Sequence, residues 1–199
     1  MLAAVILSGG ASSRMGSPKA LLPYQGRPFL DHLLEATRHP NISVRRVVLG
    51  LHAETIAKAI HLREEEIVVN ENWESGQLSS IQAALKALPT VVDGMLLCLV
   101  DHPLISASLV SDLIAEFYSS QAPIVLPVYM SRRGHPVIFS AKLFPELMAA
   151  PLDVGARAVV WAHRGEVREF PTNEEGCVLN LNDPEAFARI ANPQQRPGI

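Results

Sequence analysis

Cysteine is scarce in this chain. The 199 residues contain two, Cys98 and Cys177, too few for a disulfide framework and without the spacing of a metal-ligand set, so both read as structural thiols. Charge of one sign is not in excess either. Against 20 Asp and Glu stand 17 Lys and Arg, a net charge of −3, which argues against nucleic acid or an anionic membrane as the principal partner and makes any basic site a local cluster. The first apolar run, Leu2 to Leu7, is too short to span a bilayer and lacks the cations and cleavage pattern of a secretion signal, so a cytoplasmic location is the expectation. No repeat, linker or low-complexity segment interrupts the chain, which predicts one domain over residues 1–191 and a polar tail over 192–199. The histidines form no His-Glu-x-x-His motif, and zinc is not expected.

What is present begins with that apolar run, a buried strand that feeds Ser8-Gly9-Gly10-Ala11-Ser12-Ser13-Arg14-Met15-Gly16-Ser17-Pro18-Lys19. Small residues let successive backbone N–H groups converge on an anion, and Arg14 and Lys19 neutralise its charge, so the expected ligand is a nucleotide held through its phosphates from Leu7 to Lys19. The loop is neither a Walker motif, which needs Gly-Lys-Ser/Thr, nor the Gly-x-Gly-x-x-Gly dinucleotide fingerprint.

Apolar runs alternate with amphipathic segments along the chain, the pattern of an α/β fold with a mostly parallel sheet. Further strands are predicted at 44–50, 66–69, 95–100, 123–127 and 135–139. Helices are predicted at 29–37, 53–62, 77–88 and 107–118, the last with Ser106 as its N-cap. In open α/β sheets, ligands collect beyond the carboxyl ends of the strands. Asp101 emerges there from an apolar run and is stopped by Pro103, which makes it the leading magnesium ligand, since that ion takes one or two carboxylates and completes its shell with phosphate and water. A second strand is expected to end near Leu179-Asn180-Leu181-Asn182-Asp183-Pro184, where Asn182 or Asp183 offers another oxygen or instead caps a proline-initiated helix. Between a strand and a helix, the segment 70–81 places Asn70, Ser79 and Ser80 where a base and ribose could be read. Neither serine lies in a Gly-x-Ser-x-Gly elbow. Around His135, and from Asp153 to Arg157, cationic segments could face a second anion.

The string Gly-Gly-x-Ser-x-Arg-Met-Gly-x-x-Lys resembles the signature of the nucleotidyltransferases that activate the molybdenum cofactor, the guanylyl- and cytidylyltransferase relatives with a glycosyltransferase-A-like fold. The resemblance implies a three-layer α/β/α, Rossmann-like domain and a magnesium-dependent transfer. Asp101-His102-Pro103 looks like the family's metal-binding Asp-x-Pro turn, and Asn182 stands closest to its second acidic or amide position. Arg14, Lys19 and Asp101 take the catalytic roles. Leu7, Ser8, Gly9, Gly10, Asn70, Ser79 and Ser80 join Arg14 and Lys19 around the nucleotide. The segment from Asn70 to Ser80, the Gly-His-Pro at His135 and the Asp-x-Gly-Ala-Arg from Asp153 to Arg157 look like those of molybdopterin cytidylyltransferases, whose acceptor is a pterin with a terminal phosphate. The implied reaction joins CMP from CTP to that phosphate, with a recipient molybdenum hydroxylase as a further partner. Ser8-Gly9-Gly10 looks closer to the guanylyl branch, so GTP is the alternative. Another phosphate acceptor, such as a sugar 1-phosphate, and a carrier that binds without turnover also remain open.

Overall fold

The computed structural model describes residues 1–10 and 17–181. Its elements run β1 (Leu2–Ser8), β2 (Pro23–Tyr24), β3 (Arg27–Pro28), α1 (Phe29–Ala36), β4 (Ile42–Leu49), α2 (Ala53–Ile60), β5 (Ile67–Val69) and α3 (Gln77–Lys86). After these come β6 (Gly94–Leu99), α4 (Ala107–Ser120), β7 (Ile124–Tyr129), β8 (Arg132–Arg133), β9 (Val137–Ser140), α5 (Phe144–Ala149), α6 (Arg157–Ala162) and β10 (Val167–Pro171). Ser106 Oγ accepts from Leu109 N at 3.0 Å and starts α4 as an N-cap.

Eight strands form one sheet in the order β10-β7-β9-β6-β1-β4-β5, with β8 paired to β7. The sheet is mostly parallel, and β9 runs antiparallel to both of its neighbours. Alternation along β1 sends Leu2 and Ile6 to a core with α1, α2 and α4, where Phe29, Leu33, Ile56 and Leu113 pack. Val5 and Leu7 point to the opposite core, with Leu78 and Ile81 of α3, Leu147 of α5 and Val159 of α6. The result is a three-layer α/β/α domain of Rossmann-like type.

Register decides what meets at the rim. Ser8 pairs with Leu49, Leu7 with Leu99, and Leu49 with Val69, so Gly9, Gly50, Val100-Asp101 and Asn70 all leave the sheet at one edge. Because β9 is antiparallel to β6, with Leu97 opposite Val137, the turn before β9 comes to that edge as well.

Three expectations need correction. The predicted strand leading toward Pro184 is absent over 179–181, where the Leu181 N–H goes to the Asp101 carbonyl at 2.8 Å. The strand predicted from His135 starts at Val137, and residue 66 closes a short 3-10 turn, Glu64–Glu66, before β5. Strands β2, β3, β8 and β10 were not anticipated. No helix of the described residues is long and apolar enough to cross a membrane, and both cysteines are buried and unpaired in any disulfide.

Candidate active site

A cleft of about 480 Å³ lies over the rim, lined by Leu7, Ser8, Gly9, Gly10, Pro18, Lys19, Ile56, Trp73, Gly76, Gln77, Ser80, Leu99, Val100, Asp101 and Asn180. The glycine loop and the Asp101 turn, separated by most of a hundred residues in sequence, thus share one opening. Across it, Lys19 Nζ stands 3.9 Å from Asp101 Oδ2, and the two side chains are 19% and 18% exposed. That separation exceeds a hydrogen bond and permits an ion pair.

The far wall is built by the entry to α3. Gly76 has φ +93, a conformation open to glycine, and the first turn of α3 follows directly, so its unsatisfied N–H groups and dipole favour an anion in the cleft. Ser80 lines the opening. Behind it Asn70 is buried and donates through Nδ2 to Ser79 Oγ at 2.9 Å and Ser80 Oγ at 3.0 Å, while its Oδ1 accepts from Asn72 N at 3.0 Å. Ser79 Oγ also lies 2.9 Å from the Asn72 carbonyl and 2.7 Å from that of Gly76. Asn70 and Ser79 are therefore the support of the wall, not its surface. Gly50 is needed by close approach: a Cβ there would sit 2.2 Å from the Gly9 carbonyl oxygen and 2.9 Å from Trp73.

The expected acceptor residues are placed elsewhere. His135 lies behind the Asp101 turn, its ring centroid 5.1 Å from that of His102. Burial, and then the neighbouring His102, push the His135 pKa down to about 4, and burial lowers that of His102 against the opposing pull of Asp101. Asp153 and Arg157 are exposed and outside the cleft lining. Arg157 Nε donates to the Val154 carbonyl at 2.7 Å, and its guanidinium sits 5.8 Å from the Trp161 ring centroid. Arg14, Asn182 and Asp183 lie outside the described residues. Among the described residues no group of three His, Cys, Asp or Glu side chains forms a metal cage, so a cation in this cleft would rest on Asp101 together with ligand oxygens. Asn180 was not singled out in the sequence; its place two residues before Asn182 in the Leu-Asn-Leu-Asn run was the available signal.

A glycine loop, a lysine and a carboxylate at the carboxyl edge of a mostly parallel sheet define a nucleotide-binding α/β enzyme. Residues 4–167 match the model of the MobA-like NTP transferase domain. Over 94% of its length the chain is 34% identical to a nicotine blue oxidoreductase from Paenarthrobacter nicotinovorans, covering 94% of that protein. It is 30% identical to a probable molybdenum cofactor guanylyltransferase from Flavobacterium johnsoniae, covering 94% of this chain and 88% of the relative. The crystal structure of Rv0371c from Mycobacterium tuberculosis H37Rv superposes with a TM-score of 0.82 at 28% identity, over 96% of this chain and 98% of that one. The chain belongs to the MobA-like NTP transferase family, and its enzyme class is nucleotidyltransferase.

Proposed function

We propose that this chain is a cytoplasmic, magnesium-dependent transferase that joins CMP from CTP to the terminal phosphate of molybdopterin and releases pyrophosphate. The observation that carries the reading is the 3.9 Å approach of Lys19 to Asp101 across the glycine-loop cleft. In the reaction an acceptor phosphate oxygen attacks the α-phosphorus in line, the new P–O bond forms as the bond to the β-phosphate oxygen breaks, and pyrophosphate leaves. The acceptor is already ionised near neutral pH, so no strong general base is required. Catalysis is positioning and electrostatics: the Ser8-Gly9-Gly10 backbone and the start of α3 seat the triphosphate, and Lys19 with Arg14 offsets its charge.

Asp101 presents hard oxygen donors to the same cleft, with the Ser8 and Asn180 side chains nearby, a donor chemistry that fits magnesium. Asp101 would hold the ion, with Asn182 or Asp183 as a further ligand. When bound, the ion supplies charge neutralisation at phosphate oxygens. Acceptor contacts from Asp153 and Arg157 are part of this proposal, and so is delivery of the product to a molybdenum hydroxylase.

CTP is favoured by the Ser79-Ser80, Gly-His-Pro and Asp-x-Gly-Ala-Arg segments. GTP is the second reading, favoured by Ser8-Gly9-Gly10, which looks closer to the loop of the guanylyl branch, and by the guanylyltransferase name of a relative. The test is magnesium-dependent pyrophosphate release from CTP and from GTP, each with and without molybdenum-loaded molybdopterin. Release with CTP and acceptor is the expected result, and release with GTP alone moves the enzyme to the second reading. A further arm measures redox turnover of nicotine blue, the activity in another relative's name; turnover there without pyrophosphate release overturns the transferase reading.

A further inference from the structure

The turn that carries Asp101 is held from three directions. The His102 N–H closes it onto the Leu99 carbonyl at 3.0 Å, and the Asp101 carbonyl accepts from Leu181 N at 2.8 Å. The His135 N–H donates to the Cys177 carbonyl at 2.8 Å, which ties the turn before β9 to the same 176–181 segment. Two glycines allow that closeness. A Cβ on Gly134 would fall 2.5 Å from the Cys177 oxygen, and one on Gly176 would fall 2.5 Å from the Leu104 oxygen. At the junction of the three segments sit the two imidazoles, 5.1 Å apart between centroids and tilted by 51°. His102 is only 5% exposed, faces the backbone of Cys177 and Gly176, and brings Nε2 to 3.9 Å from Asp101 Oδ1. Among the described residues neither Nδ1 has a partner.

Apolar side chains could fill this volume without the cost of burying polar rings, so mere packing is a poor account of the pair. Neither ring lines the cleft, and 3.9 Å is too long for a hydrogen bond to the carboxylate. We propose that His102 and His135 are positioning residues for Asp101: packed ring against tilted ring behind the cleft, with His102 also against the Cys177 and Gly176 backbone, they lock the turn bearing that carboxylate to the turn before β9 and to the 176–181 segment. The proposal rests on the reading of Asp101 as the metal-binding carboxylate. In-line transfer is sensitive to small misplacement, on the order of a hundredfold in rate for about 1 Å.

The test uses the full chain, with His102→Phe, which keeps a ring against His135 but removes both nitrogens, and His102→Gln, which restores a polar group. Calorimetry measures Mn2+ binding to the complex with a non-hydrolysable CTP analogue, alongside kcat, KM for CTP and thermal melting. The expected result for His102→Phe is Mn2+ affinity and kcat each lowered about tenfold or more, KM within about twofold and a cooperative melt, with partial recovery in His102→Gln. Wild-type Mn2+ affinity and kcat in a folded His102→Phe protein overturn the proposal. So does a loss that only follows the melting temperature and is not relieved by Gln, and so does a wild-type protein that binds no Mn2+. Should the wild type release no pyrophosphate from any nucleotide, the transferase reading fails, and the Mn2+ comparison still decides the histidine pair.

Discussion

Lys19 Nζ and Asp101 Oδ2 face each other at 3.9 Å across the nucleotide cleft, each side chain mostly covered yet open to the cavity. On the proposed function such a pair brackets a charged ligand and contributes little to the fold. Lys19→Ala and Asp101→Asn are each expected to cut turnover about a hundredfold or more. The partly solvated pair contributes no more than about 1 kcal/mol to stability, so unfolding should barely change. Pyrophosphate release and thermal melting, measured on the same samples, check both halves; near-wild-type turnover in either variant would remove these residues from the chemistry.

Gly50→Ala tests the cleft wall. The added methyl meets the Gly9 carbonyl oxygen and Trp73 at distances real side chains do not adopt, so backbone or indole must move. Nucleotide binding should weaken strongly, and stability should fall by about 1–3 kcal/mol as in other overpacked sites. Titration calorimetry with CTP and urea unfolding read the two effects; unaltered binding would place the nucleotide away from Trp73.

Glu66 carries the clearest acid sensitivity. Burial alone would raise its pKa, but hydrogen bonds from Arg63 and Arg45 and the Arg45 charge outweigh that and bring it down to about 2. Arg45 Nε reaches Glu66 Oε1 at 2.8 Å, and Arg63 Nη2 reaches it at 3.1 Å. With a folded pKa below the unfolded one, the stabilisation is present above the unfolded value and is lost as pH falls through the folded one. Unfolding free energy should therefore drop by about 2–3 kcal/mol between roughly pH 5 and pH 2. In Glu66→Gln that part of the acid slope should vanish, as measured by urea unfolding across the range.

His163 gives the opposite sign. Hydrogen bonds to Glu166 and Glu146, both at 2.8 Å, raise its pKa and link α5 to the end of α6. The gain is complete below the unfolded pKa of about 6.5 and disappears as pH climbs through the raised folded value. Because the group is on the surface, the difference between wild type and His163→Gln should stay under about 1 kcal/mol and shrink toward alkaline pH. Melting temperatures measured on both sides of neutrality show whether the difference shrinks in that direction.

Buried strands could be read from the sequence because two cores demand apolar residues on alternate positions, as in Leu2 to Leu7; their ends shifted by a residue or two where register, not composition, stops pairing. Strand β10 escaped because Arg168 and Glu169 are exposed on an edge, which leaves no apolar alternation to find. That Lys19, Asp101 and the glycines would come to one rim was legible because each follows the carboxyl end of a strand or the loop leaving it, and they do line one cleft. The His102–His135 contact could not, since it depends on β9 entering the sheet antiparallel beside β6, a long-range choice with no local signature. Asn70 shows why a role is harder to read than a position: it is buried and bonds to Ser79, Ser80 and Asn72, and a side chain that supports a wall and one that touches ligand have the same chemistry in sequence.

The bond from Leu181 to the Asp101 carbonyl spans 80 residues, and this sets an order of events during synthesis. A chain emerging from the ribosome exposes the glycine loop first, then the Asp101 turn, and 80 residues after Asp101 the residue that fastens that turn. If the proposed roles hold, nascent chains acquire a seat for phosphate well before they acquire a fixed carboxylate, and a chain terminated before residue 176 is expected to bind CTP in calorimetry yet release no pyrophosphate.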